Sequence, residues 1–100
     1  MDIKISLDKR ADRVLESLSA IDKGRVRGYI KLFKENGFGV PPKYLKKIES
    51  NLWELRPGNT RILFGMVGEV AIIVNIFKKK TRKTPLKEIE TARNRLKEYR

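Results

Sequence analysis

The chain is 100 residues long, 40% of them hydrophobic, with 24 Lys and Arg against 12 Asp and Glu, a formal charge of +12. This length predicts a single domain spanning residues 1–100 around one modest core, and the even spread of apolar residues excludes a disordered chain. With no cysteine and no histidine, disulfides, thiolate nucleophiles and the usual acid–base group near neutral pH are excluded, which leaves Lys, Arg, Glu, Asp and Tyr for any catalysis and no credible donor set for a transition metal.

In chain order, "DIKIS" alternates at Ile3 and Ile5 and reads as a short strand. From Asp8 to Ser19, Ala11, Val14, Leu15 and Leu18 fall at helical spacing. Asp22 is placed to cap a second helix with Val26, Tyr29, Ile30 and Phe33 on one face, and Asn36-Gly37 ends it. The connection is about three residues long, so the two helices form an antiparallel hairpin. "GFGVPP" is rich in turn residues, and Tyr44, Leu45 and Ile48 suggest a short helix after the two prolines. Three strands follow: "LWELR", "TRILFGMV" and "VAIIVNIF". Pro57-Gly58 joins the first two, and Gly68-Glu69 joins the last two as a type II′ hairpin loop. The third strand is the most apolar, and so is predicted to be internal and covered on both faces. Thr84-Pro85 reads as the cap and first residue of a final helix with an apolar stripe of Leu86, Ile89, Ala92, Leu96 and Tyr99. The longest apolar run, Val70 to Phe77, is too short to cross a bilayer, and "MDIKISLDKR" lacks the pattern of a signal peptide. The expectation is a cytoplasmic protein with no membrane partner.

The high positive charge points to a polyanionic partner. Pairing parity says where the charges meet. If both hairpin loops have two residues, Arg56 faces Asn59, Glu54 faces Arg61, Val67 faces Val70 and Arg61 faces Ile76. Glu54, Arg56, Arg61, Ile76 and Lys78 then share one face, joined by Lys80 if the strand continues. Trp53, Leu55, Ile62, Phe64, Ile73, Asn75 and Phe77 take the opposite, core face. One bulge would reverse the parity of everything beyond it. Cations gathered round one carboxylate at the end of a rigid sheet suit a phosphodiester, because Arg offers paired hydrogen bonds to phosphate oxygens. Neighbouring cations also depress a lysine's pKa toward the range of a general base.

The strings "LKKIESNLWELR", "TRILF" and "NIFKKKTRKTP" resemble the phage-derived HigB-like toxins of the RelE/ParE superfamily. Their F-x-K-K-T-x-K-T-P motif falls on Phe77, Lys79, Lys80, Thr81, Lys83, Thr84 and Pro85. Two positions depart from the family pattern: Asn75 stands where His is common, and Thr60 where Tyr is common. The resemblance implies an α+β, RelE-like fold, with a small antiparallel sheet packed against an N-terminal helical hairpin and a C-terminal helix. It also implies a type II toxin: a ribosome-dependent mRNA endoribonuclease that needs no metal or cofactor and is held by a cognate helix-turn-helix antitoxin. In that chemistry the ribose 2′-OH attacks the adjacent phosphate.

On this reading Lys80 is the candidate general base, with Lys79 as its substitute. Arg61, with Arg56 beside it, clamps the scissile phosphate. Glu54 either orients Arg61 or takes the 2′-OH proton. Lys78, Arg82 and Lys83 hold RNA, and Lys46 and Lys47 add RNA- or ribosome-facing charge. Parity sends Trp53 and Phe64 to the core, and Tyr99 lies on the last helix's stripe. Two other functions are compatible with the sequence: a non-catalytic superfamily member that blocks a protein target such as gyrase, and a plain RNA- or DNA-binding module.

Overall fold

The structure is a computed structural model and describes residues 2–100. Strand β1 (Lys4–Leu7) leads into helices α1 (Lys9–Ser17) and α2 (Ala20–Asn36). Strands β2 (Leu45–Glu49), β3 (Leu52–Leu55), β4 (Thr60–Val67) and β5 (Val70–Lys78) follow, and helix α3 (Leu86–Lys97) ends the chain. The five strands form one sheet in the order β1-β5-β4-β3-β2, with β1 parallel to β5 and the other pairs antiparallel. The helical hairpin covers one face, where Ala11, Leu15, Val26 and Phe33 meet Leu55, Ile62, Phe64, Ile73 and Ile76. Helix α3 covers the other, where Ala92 and Leu96 meet Leu52, Leu63, Ile72, Val74 and Phe77. Strand β5 is thus internal and packed on both faces, as its apolar composition requires.

The helix ends are set by local hydrogen bonds. Asp8 caps α1, and its carboxylate accepts from the backbone N–H of Arg10. Ser19, rather than Asp22, caps α2: its hydroxyl accepts from the N–H of Asp22. Asp22 is freed to pair with Lys78. Gly37 ends α2 at φ +56°, a conformation that costs glycine little. At α3 the cap position is Pro85 rather than Thr84, because the Thr84 hydroxyl is used elsewhere. Leu86 is 64% exposed and lies off the apolar stripe.

One expected helix is a strand. The segment after Pro41-Pro42 makes a single turn, with Tyr44 N–H bonded to Pro41 O at 2.9 Å, and then runs as β2 along β3. The turn that makes this possible is Ser50-Asn51. Asn51 sits at φ +53°, a region asparagine tolerates better than most residues. Its side chain brackets Met66 of β4, donating to the carbonyl and accepting from the N–H, both at 2.9 Å.

Asp8 also ties the two ends of the fold together. It is 3% exposed. It accepts two bonds from the Arg10 guanidinium, at 2.8 and 2.9 Å, and one from the Tyr99 hydroxyl at 2.7 Å. Arg10 first, and Tyr99 with it, hold the Asp8 carboxyl far below the usual carboxylate range, and the same bond pushes the Tyr99 phenol up. A lowered folded-state pKa stabilises the fold above the ordinary carboxylate pKa and loses that contribution as pH falls below it. Asp8→Asn, which can still cap the helix, is expected to cost about 2 kcal/mol at pH 7. The gap between variant and wild type should shrink toward pH 3. Urea midpoints at the two pH values check this; equal midpoints at pH 7 would refute it.

Candidate functional site

The end of the sheet where β3 finishes, β4 begins and β5 finishes holds the predicted charges. Leu55 pairs with Ile62 and Glu54 with Leu63. The β3–β4 connection is therefore longer than two residues, but the register moves by two and parity is kept. Glu54 and Arg61 lie on the α3 face. In the second hairpin Val67 pairs with Val70 as expected, and Gly68 has φ +60°.

Farther along, Phe64 pairs with Ile73 but Leu63 with Asn75. The extra residue, Val74, bulges β5 and reverses its parity. Two expectations change as a result. Asn75 and Phe77 lie on the same face as Glu54 and Arg61, whereas Ile76 and Lys78 turn to the hairpin face. Lys78 there makes a short ion pair with Asp22 of α2. Asn75 is 4% exposed, and its amide donates to the backbone and side chain of Glu88, both at 3.1 Å. It anchors the first turn of α3.

Glu54 is 1% exposed. Its carboxylate lies 3.5 Å from Arg56 Nε and 4.0 Å from Arg61 Nε, and it accepts a short hydrogen bond from Thr84. Arg61 is 6% exposed. Its Nη1 donates to the carbonyls of Gly58 at 2.7 Å and Thr60 at 2.9 Å. Burial lowers its pKa, Glu54 raises it, and Arg56 lowers it further; a guanidinium in such a place stays charged. Among the described residues Arg61 Nη2 has no partner, and no fully buried side-chain nitrogen or oxygen lacks one. Nη2 therefore reaches solvent and can bond an anion. Arg56 is about one-third exposed beside it.

The turn at residues 57–60 joins Arg61 to the basic segment. Arg61 bonds the carbonyls on either side of Asn59, and the Lys79 N–H bonds the carbonyl of Asn59 itself at 2.6 Å. Lys79 is thereby fixed next to Arg61, just past the end of β5. Strand β5 stops at Lys78, so Lys80 lies beyond the sheet and is exposed.

Lys46, Lys47, Arg82 and Lys83, from two distant segments, border one open cleft of about 300 Å³. Lys46 stands directly across from Glu54, while the Lys47 ammonium sits 5.6 Å from the Trp53 ring centroid on the opposite face. Trp53 is half-buried against Phe64, their rings 5.8 Å apart. Tyr99 bonds Asp8 rather than any of these residues. Among the described residues no group of three or more acidic side chains is placed to hold a metal ion, and no helix is long and apolar enough to cross a membrane.

Sequence reasoning missed the part played by Thr84, whose position before a proline signalled only a helix start. It also missed the Asn59 carbonyl, which no side-chain pattern reports.

The family described as "Phage derived protein Gp49-like (DUF891)" matches residues 13–97. No curated protein sequence matches the chain. Among solved structures, the archaeal RelE–RelB complex from Pyrococcus horikoshii OT3 is similar at 21% identity, covering 83% of this chain and 100% of that one, with a TM-score of 0.67. A doubly substituted mutant of the E. coli toxin RelE, in the free state, is similar at 13% identity over 98% of each chain, TM-score 0.66. The RelB–RelE antitoxin–toxin complex from Methanococcus jannaschii is similar at 20% identity over 73% of this chain and 88% of that one, TM-score 0.61. The fold is that of the RelE toxins.

Proposed function

We propose, from the premise that this chain belongs to the phage-derived Gp49-like protein family, that it is the toxin of a type II toxin–antitoxin pair of the RelE/ParE superfamily, HigB-like in kind. In this reading it is a metal-independent endoribonuclease that cuts mRNA at the ribosome, in the cytoplasm. The observation that carries the reading is the turn at residues 57–60, where Arg61 and Arg56 flank one buried carboxylate and the Lys79 backbone is tied to the same turn, on a RelE fold. Several of the similar folds were solved with an antitoxin bound, which supports a cognate antitoxin as partner here.

The reaction needs a base for the 2′-OH, countercharge on the phosphate and a proton for the leaving 5′-oxygen. The 2′-oxygen attacks phosphorus, the bond from phosphorus to the 5′-oxygen breaks, and a 2′,3′-cyclic phosphate and a 5′-hydroxyl result. Arg61 Nη2 and Arg56 are placed to bond the non-bridging oxygens, whose charge grows in the transition state. Lys79 and Lys80 are the groups available for proton transfer. Glu54 is encircled by two guanidinium groups and a hydroxyl, so its part is to hold Arg61 and Arg56 in place rather than to take a proton.

Inducing the protein in bacteria and mapping a translated message by primer extension tests this. New 5′ ends within the reading frame are expected, lost in Lys79→Ala and Lys80→Ala variants whose melting curves match the wild type. Growth arrest without new 5′ ends would overturn the nuclease reading and favour blockade of a protein target.

A further inference from the structure

We infer that the cleft between β2 and the start of α3 is a subsite for one nucleotide of single-stranded RNA, next to the Arg61 cluster. The inference takes from the nuclease reading that RNA is the ligand and that its scissile phosphate lies at Arg61. Lys46, Arg82 and Lys83 border the cleft, and among the described residues none of them has an acidic partner. Other cations are unpaired too, as a charge of +12 requires, but these three come from two distant segments and converge on one concavity. Three unmatched cations around one concavity repel each other, and an anion seated among them relieves that repulsion.

The remaining lining sets the kind of anion. Ile48 and Ile89 give the cleft an apolar wall, and about 300 Å³ is far more than a bare phosphate needs. A phosphate carrying a flat, weakly polar ring uses both halves of such a lining. The neighbouring site fixes the source. Thr84 borders the cleft and donates its hydroxyl to Glu54, and Lys46 pairs across the sheet with Glu54. The cleft therefore shares a wall with the Arg56–Glu54–Arg61 cluster, and a strand whose scissile phosphate lies at Arg61 places an adjoining nucleotide in it.

The test is binding of a fully 2′-O-methylated RNA hexamer, which has no 2′-OH to attack, to the full chain over a range of salt. R82Q/K83Q is expected to bind at least tenfold more weakly. The slope of log K against log salt should fall by about 1.4, the change expected when two phosphates of a single strand are no longer neutralised. K31Q/K34Q removes the same charge from the exposed side of α2 and is expected to change affinity less than threefold. A hexamer backbone without bases should bind more weakly than the intact one, and Ile89→Ala should narrow that difference. Equal losses in the two double variants would overturn the subsite, since binding would then follow net charge alone. Equal affinity for the intact and base-free hexamers would overturn its base-binding half. Because the hexamer cannot be cut, a wild-type protein that fails to cleave mRNA refutes the nuclease reading without altering these affinities.

Discussion

Gly65→Ala is expected to cost about 3 kcal/mol, the upper part of the range for overpacking a tight site. Gly65 lies in the middle of β4, opposite Ile72 of β5, on the face that α3 covers. A Cβ there would overlap a methyl of Leu96 and come within 2.6 Å of the Asn51 carbonyl oxygen. Neither neighbour can yield easily. Leu96 is 2% exposed and is one of only two fully buried α3 side chains. Asn51 is pinned by its two hydrogen bonds to Met66, the residue after the substitution. The added methyl must push either α3 or the β2–β3 turn away from the sheet. Chemical unfolding measures the loss, and faster proteolysis within α3 would show which element moves. A loss under about 1 kcal/mol would mean that the sheet and helix separate more freely than these contacts allow.

Glu54→Gln is expected to be at least as damaging to stability, and more informative about activity. The substitution keeps the shape and still offers Thr84 an acceptor, but it removes the negative charge that, among the described residues, alone stands beside the buried Arg61. Taking one partner from a buried pair leaves an uncompensated charge, which costs about 3 kcal/mol or more. At a temperature where the variant is still folded, RNA should bind as well as to wild type or better, because a repelling carboxylate is gone. The cleavage step should nonetheless slow, since Arg61 and Arg56 lose the group that aims them. A fall in kcat with KM unchanged or lower is the signature of that positioning role. Wild-type kcat in the folded variant would remove Glu54 from the site. Loss of the acid limb of the pH–rate profile would instead make it the base.

The residues themselves explain what could be read in advance. Both helices of the hairpin were legible because Ala11, Leu15, Val26 and Phe33 recur at helical spacing and are the buried positions. Strand β4 was legible to the residue, bounded by Pro57-Gly58 and Gly68. Strand β2 was not, because Tyr44, Leu45 and Ile48 follow a helical spacing by accident of a bulge between Lys47 and Glu49. The bulge in β5 was invisible for a different reason. Every residue from Ala71 to Phe77 is buried, so no alternation of apolar and polar positions records which way each side chain points. That run decides where the basic segment emerges. The grouping of Glu54, Arg56 and Arg61 survived because it depends on β3 and β4 alone. The expected place of Lys78 did not, because it was counted through β5.

The inserted Val74 divides labour between neighbours in the chain. Without it, Lys78 would emerge on the side of Arg61 and leave Asp22 of α2 without its partner. With it, the first of the three lysines in a row becomes a rivet joining the sheet to α2 through Asp22. The second is held at the turn by its own backbone, and the third is released to solvent. A run of identical letters thus becomes a fastener, a hinge pin and a free arm, and one extra residue in the middle of a strand sets which is which.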